Sequence, residues 1–116
     1  MIIQVNTDNH TDGGAQLIDE VKSVVSDALE RFGERITRVE VQISDENSHK
    51  GGDDDKRCVM EARLAGHQPV SVTHRGATVD QAVEGAAHKL QQMLTKLLDR
   101  LNDPKGRTSY AGEQMI

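Results

Sequence analysis

The spacing of apolar residues changes along the chain, and each change marks a new element. Ile2, Ile3 and Val5 form a short apolar run ahead of the polar stretch 6–14, which reads as a first strand and a loop. Leu17, Ile18, Val21, Val24, Val25, Ala28, Leu29 and Phe32 then recur at steps of three and four, with charges between them. That spacing predicts an amphipathic helix ending near Gly33, a residue suited to stopping a helix. From Ile36 the period falls to two. Val39, Val41 and Ile43 alternate with Arg38, Glu40 and Gln42. After a polar connector over 44–56, Cys58, Met60, Ala62 and Leu64 alternate with Arg57, Glu61 and Arg63. Each run predicts a strand with one buried and one wet face. A turn over 66–69 leads to a further strand through Val70 and Val72. Thr78 and Gln81 have capping-box spacing, which satisfies free backbone donors at a helix start. Val79, Val83, Ala86, Leu90, Met93, Leu94, Leu97 and Leu101 follow at helical steps, and the helix should stop near Asn102, ahead of Pro104.

The predicted order is β-α-β-β-β-α, an α+β fold. Its last three strands should form an antiparallel meander, because sequential strands joined by short connectors usually pair. Two helices with one apolar stripe each, and one sheet with one apolar face, pack most economically as two layers. Both helices should therefore cover the same face of a four-stranded sheet. The other face, with Arg38, Glu40, Gln42, Arg57, Glu61 and Arg63, should stay in water. Residues 1–102 read as one domain, and 103–116 as a flexible C-terminal tail with no apolar period.

Composition narrows the function. Only 2% of the 116 residues are aromatic, Phe32 and Tyr110 with no Trp, so the core must be aliphatic. The formal net charge of −5 argues against a strongly electrostatic, non-specific nucleic-acid binder, though not against a local basic face. The lone Cys58 cannot form an internal disulfide, which suits a reducing compartment. The N-terminus lacks the basic region and apolar stretch of a signal peptide, and no window is apolar for long enough to span a bilayer. A cytoplasmic protein with no membrane partner is expected.

Enzyme chemistry finds little support. His10, His49, His67, His74 and His88 are scattered, and none pairs with another His or Cys at metal-ligand spacing. Cys58 falls among the inward positions of a strand and reads as a small core residue. Asp53-Asp54-Asp55 lacks the ordered spacing of a calcium loop, and Gly13-Gly14 alone is a weak phosphate signal. No catalytic residue, metal, cofactor or small-molecule substrate is expected.

RNA recognition by base stacking needs exposed aromatics, which this chain lacks. Recognition of phosphates and shape needs only Lys and Arg on helices. Lys89, Lys96 and Arg100, at steps of seven and four, should share one stripe off the apolar seam, with His88 beside it. Lys22 and Arg31 lie on the first helix, with Arg35 and Arg38 just after. An ordinary solvated helix face is the competing reading of the same spacing.

The order of elements, the strand Val39-Glu40-Val41-Gln42-Ile43 and the helix from Val79-Asp80-Gln81-Ala82-Val83 through Lys89-Leu90, Leu94-Thr95-Lys96 and Arg100-Leu101 together resemble the ribosome hibernation-promoting factors. These are also called ribosome-associated inhibitor A or sigma-54 modulation proteins. The resemblance covers roughly residues 1–101, and His10 with Leu17 and Val21 fits the family's first helix. It implies a protein that binds the small ribosomal subunit and its rRNA, without enzymatic activity, and modulates or inhibits translation under stress or in stationary phase. Lys89 and Lys96 fall on basic positions of the family pattern, with Arg100 alongside. Lys22, Arg31 and His88 complete the expected RNA-binding set, and a monomer is expected. The chain departs from the pattern at Gln92 and Leu98, where many members carry Arg or Lys. Asp27 and Glu30 add acid to the first helix. Those departures leave a second reading open, a non-ribosomal protein-interaction module on the same fold.

Overall fold

The computed structural model describes residues 1–8, 14–45 and 56–102. Their order is β1 (Ile2–Thr7), α1 (Ala15–Leu29), a 3-10 turn (Glu30–Arg35), β2 (Ile36–Asp45), β3 (Lys56–Leu64), β4 (Val70–Gly76) and α2 (Val79–Asn102). This is the expected α+β order. The expected tail, Asp53–Asp55, His10 and His49 lie outside the described residues.

The strands form one sheet in the order β1-β2-β3-β4. β1 runs parallel to β2, with Ile3 beside Val39 and Val5 beside Val41. Parallel neighbours cannot be joined by a tight turn, so the chain crosses over through α1. β2, β3 and β4 make the antiparallel meander, pairing Val41 with Met60 and Met60 with Val72. This register lines up Val39, Val41, Ile43, Cys58, Met60 and Ala62 on one face, all fully or almost fully buried under the two helices. Leu29, Leu90 and Leu94 press onto them from above. Burying a side chain of this size contributes about 1.5–3 kcal/mol, so the two-layer core is the main support of the fold.

Local chemistry sets the helix ends. Thr78 Oγ1 accepts from the Gln81 backbone N–H at 3.1 Å. Gln81 Oε1 accepts from the Ala77 N–H at 3.0 Å, one residue further back than in the standard box. The first helix stops being α-helical at Leu29, and a 3-10 turn carries the chain to Arg35 with Gly33 at φ 57. Phe32 is thereby turned into the core from the 3-10 segment.

The inward stripe of α2 is shifted from its sequence expectation. Met93 is 47% exposed, whereas Leu98 is buried at 7%. The cause is α1. A helix with a neighbour on one flank buries an arc displaced towards that neighbour, so Ala87 and Leu98 join the core and Met93, on the far flank, does not. Leu98 is thus a packing residue in this chain. On that far flank α2 lies close over β4. The His74 ring occupies the space where a side chain at Gly85 would begin, with a Cβ there falling 2.0 Å from its Cδ2. Glycine costs a helix interior about 1 kcal/mol relative to alanine, and here it permits the close approach.

Candidate nucleic-acid interface

The helices run side by side in the same direction. Glu20 and Val24 of α1 meet Asp80 and Glu84 of α2 across a small cleft. Further along, Gln91 Nε2 donates to the Ala28 carbonyl at 2.9 Å. Near the C-terminal ends, the Arg31 guanidinium donates to Thr95 Oγ1. Asp80, Gln91, Thr95 and Leu98 therefore face α1, which leaves Lys89, Lys96 and Arg100 on the opposite flank, above β4. The contact of Lys89 agrees, since its Nζ donates to the Thr73 carbonyl of β4 at 2.9 Å. That carbonyl lies on the free edge of the sheet, so Lys89 also covers part of an edge strand that could otherwise pair with another chain.

Lys89, Lys96 and Arg100 are all exposed, as is His88 one step round the helix. The rise of an α-helix spreads Lys89 to Arg100 over about 17 Å. The remaining two cations of the expected set do not join this stripe. Arg31 is tethered at the seam between the helices, 5.0 Å over the Phe32 ring. Lys22 is exposed on the flank of α1 turned away from α2, because Val21 and Val24, its near neighbours in sequence, line the inter-helix cleft. The set expected from sequence thus divides into a stripe on α2, a seam residue and an outlying lysine.

The open sheet face differs in its electrostatics. Arg38 Nε sits 2.9 Å from Glu40 Oε2, and Arg63 lies 3.8 Å from the same carboxylate. Arg63 also stands 3.7 Å from Glu61. At the end of β2 and β3, on the helix-covered side of the sheet, Lys56 pairs with Asp45 at 3.2 Å. Among the described residues, none of Lys22, Arg31, His88, Lys89, Lys96 and Arg100 makes an ion pair with a carboxylate. The cations offered to a polyanion therefore lie on the helices. A phosphate approaching them displaces water and counterions and need not break a protein ion pair.

The other candidates resolve simply. Cys58 has no exposure, and burial pushes its thiol up to about 12, so it is a core residue and no nucleophile at neutral pH. Among the described residues, no group of three or more His, Cys, Asp or Glu could hold a metal ion. No helix there is long and apolar enough to cross a membrane. Sequence reasoning missed Thr95 and Asp99, which line a cleft with Arg31 and Arg35. The available signal was a pair of i, i+4 spacings, Arg31/Arg35 and Thr95/Asp99. It becomes legible only once the two segments are known to lie side by side.

Comparison with known proteins follows the same lines. The chain is similar in fold to the N-terminal domain of Protein Y from Thermus thermophilus, with a TM-score of 0.67 and 15% identity, covering 84% of this chain and 99% of that one. It is also similar to a ribosomal subunit interface protein from Coxiella burnetii, with a TM-score of 0.65 and 17% identity, covering 85% and 99%. No curated protein sequence matches it. The profile of the sigma 54 modulation protein / S30EA ribosomal protein family matches residues 3–102, which includes every described element from α1 to α2 and nearly all of β1. Family members are binding factors and not enzymes, and with the profile extending over most of its length the chain belongs to that family.

Proposed function

We propose that this protein binds the small ribosomal subunit through its rRNA and so modulates or inhibits translation in the cytoplasm of stressed or stationary-phase cells. One observation carries the reading. The exposed flank of α2 holds Lys89, Lys96 and Arg100 in a row without carboxylate partners among the described residues, in a chain of net charge −5. Family membership and the similarity to a ribosomal subunit interface protein support the choice of partner. Each lysine acts as a point charge on a phosphate, and Arg100 can offer a two-pronged fork. Arg31 and His88 add contacts at the margins, and Lys22 reaches only a partner that extends past α1.

The test is co-sedimentation of the purified protein with isolated small subunits at low and high salt. Pelleting at low salt that is lost as salt rises is the expected result. A protein left in the supernatant at low salt overturns the proposal.

A second reading has one observation in its favour. Met93 is 47% exposed within the cationic flank, an apolar contact that a phosphate backbone does not use. A protein-interaction module predicts capture of a single non-ribosomal protein that survives RNase treatment and weakens with Met93→Ser.

A further inference from the structure

At one end of the open sheet face, β1 stops at Thr7 while β2 runs on to Asp45. The step between them leaves a cleft of about 240 Å³ lined by Asn6, Asp8, Gln42, Ser44, Arg57 and Val59. We propose that this cleft receives one unpaired nucleobase. The inference does not rest on the rRNA reading. It concerns the edge of a base and not a phosphate, and it lies on the opposite side of the sheet from α2.

Strand register builds the cleft. Asn6 stands beside Gln42, and Gln42 opposite Val59, so two carboxamides and a small apolar side chain form one row across β1, β2 and β3. Ser44 and Arg57 form the next row. Asp8 closes the end. Its N–H donates to the Ile43 carbonyl at 3.1 Å, and its Oδ2 accepts from the Asp45 N–H at 3.1 Å.

Three features select the ligand. Among the described residues, the side chains of Asn6 and Gln42 have no hydrogen-bond partner, whereas Gln4, one row away, is used by Arg38. Each free carboxamide presents a donor beside an acceptor, which matches a base edge such as the amino group and adjacent ring nitrogen of adenine. Second, Arg57 and Asp8 carry opposite charges, so the cleft suits a neutral heterocycle better than an anion. Third, the walls suit a flat ligand. Arg57 already has an interaction of its own, and the site asks only for the plane of its guanidinium, on which a base can stack where no aromatic is present. Half-buried Val59 supplies the apolar floor. An ordinary hydrated strand surface accounts for the polar residues, but it predicts no discrimination between neutral heterocycles.

The experiment titrates the full-length protein and follows the backbone amides of Gln42 and Val59 by NMR. The probes are adenosine, its dimethylamino analogue, adenosine 5′-monophosphate and a short oligoadenylate. Saturable millimolar binding of adenosine is expected, insensitive to salt. The dimethylamino analogue should bind several-fold more weakly because its amino donor is gone, and the monophosphate should bind no tighter than adenosine. Asn6→Leu/Gln42→Leu should melt like the parent chain, since both side chains are exposed, and should weaken adenosine about tenfold. Shifts with oligoadenylate alone, lost in the same double variant, identify a strand as the source of the base and also support the site. Absence of shifts with both adenosine and oligoadenylate overturns it. Equal binding of the dimethylamino analogue, a monophosphate much tighter than adenosine, or parent-like binding by the double variant overturns it as well. Lys89→Glu/Lys96→Glu separates the two proposals, since that variant should lose the small subunit and retain adenosine.

Discussion

Two faces of this molecule carry arginine and lysine, and they use them differently. On the open sheet, Arg38 and Arg63 converge on Glu40, with Glu61 beside them, at 2.9–3.8 Å. On the outer flank of α2, Lys89, Lys96 and Arg100 have no carboxylate within pairing distance among the described residues. The lesson is that net charge is a poor guide to polyanion binding. What counts is where acids and bases are placed in register. Along each strand the two-residue period sets Arg38 beside Glu40 and Arg63 beside Glu61, and the register adds the diagonal Arg63–Glu40, so charges neutralise within the sheet even though like charges stand directly opposite. Helix steps of seven and four instead gather like charges into one row.

The most drastic way to break the comparison is to remove the support that both faces share. Leu90 is fully buried one position from Lys89. Leu90→Asp places an unpaired charge in the core and should cost more than about 4 kcal/mol, seen as loss of the cooperative thermal transition. High pH attacks the same core. Cys58 lies between the sheet and the helices with its thiol pushed up from 9.0 to about 12 by burial. The unfolded chain gives up this proton from about pH 9, while the folded chain keeps it. Stability from this source is therefore complete below pH 9 and falls as pH rises towards 12. Denaturant melts of the parent chain and Cys58→Ala should diverge in that window, the parent losing more.

A milder change shifts α2 over β4. Gly85→Ala drives a methyl into the His74 ring and should lower stability by about 1–3 kcal/mol despite alanine's better helix propensity. His74→Ala should restore most of that loss, as a double-mutant cycle would show. The smallest effect on stability falls on the sheet. Glu40→Gln removes the carboxylate shared by Arg38 and Arg63 and should cost less than about 1 kcal/mol, because exposed pairs contribute little. It should nevertheless raise affinity for a random single-stranded RNA several-fold, measured by fluorescence anisotropy at low salt. Unchanged affinity would mean that ion pairing is not what keeps the sheet face silent.

Much of the scaffold was legible in the sequence, because the period of apolar residues reports directly on strand and helix. The alternation at Val39-Val41-Ile43 and the capping pair Thr78/Gln81 needed no tertiary information. The exchange of Met93 and Leu98 did, since it depends on the side of α2 against which α1 rests. The stripe Lys89-Lys96-Arg100 was readable from helical steps alone, whereas the Arg31–Thr95 contact joins residues 64 positions apart. Lys22 could be separated from the others only after the direction and pairing of the helices were known. The cross-strand Arg63–Glu40 pair likewise depends on strand register, whereas Arg38–Glu40 and Arg63–Glu61 follow from alternation along a single strand.

The most direct test compares two double charge reversals of equal size. Lys89→Glu/Lys96→Glu alters the α2 flank, and Arg38→Glu/Arg63→Glu alters the sheet. Affinity for isolated small subunits is measured for each against salt concentration. The account predicts that the α2 reversal abolishes binding, while the sheet reversal leaves both affinity and the slope of log K on log salt close to those of the parent chain. Equal losses from both reversals, or a loss confined to the sheet variant, would contradict it.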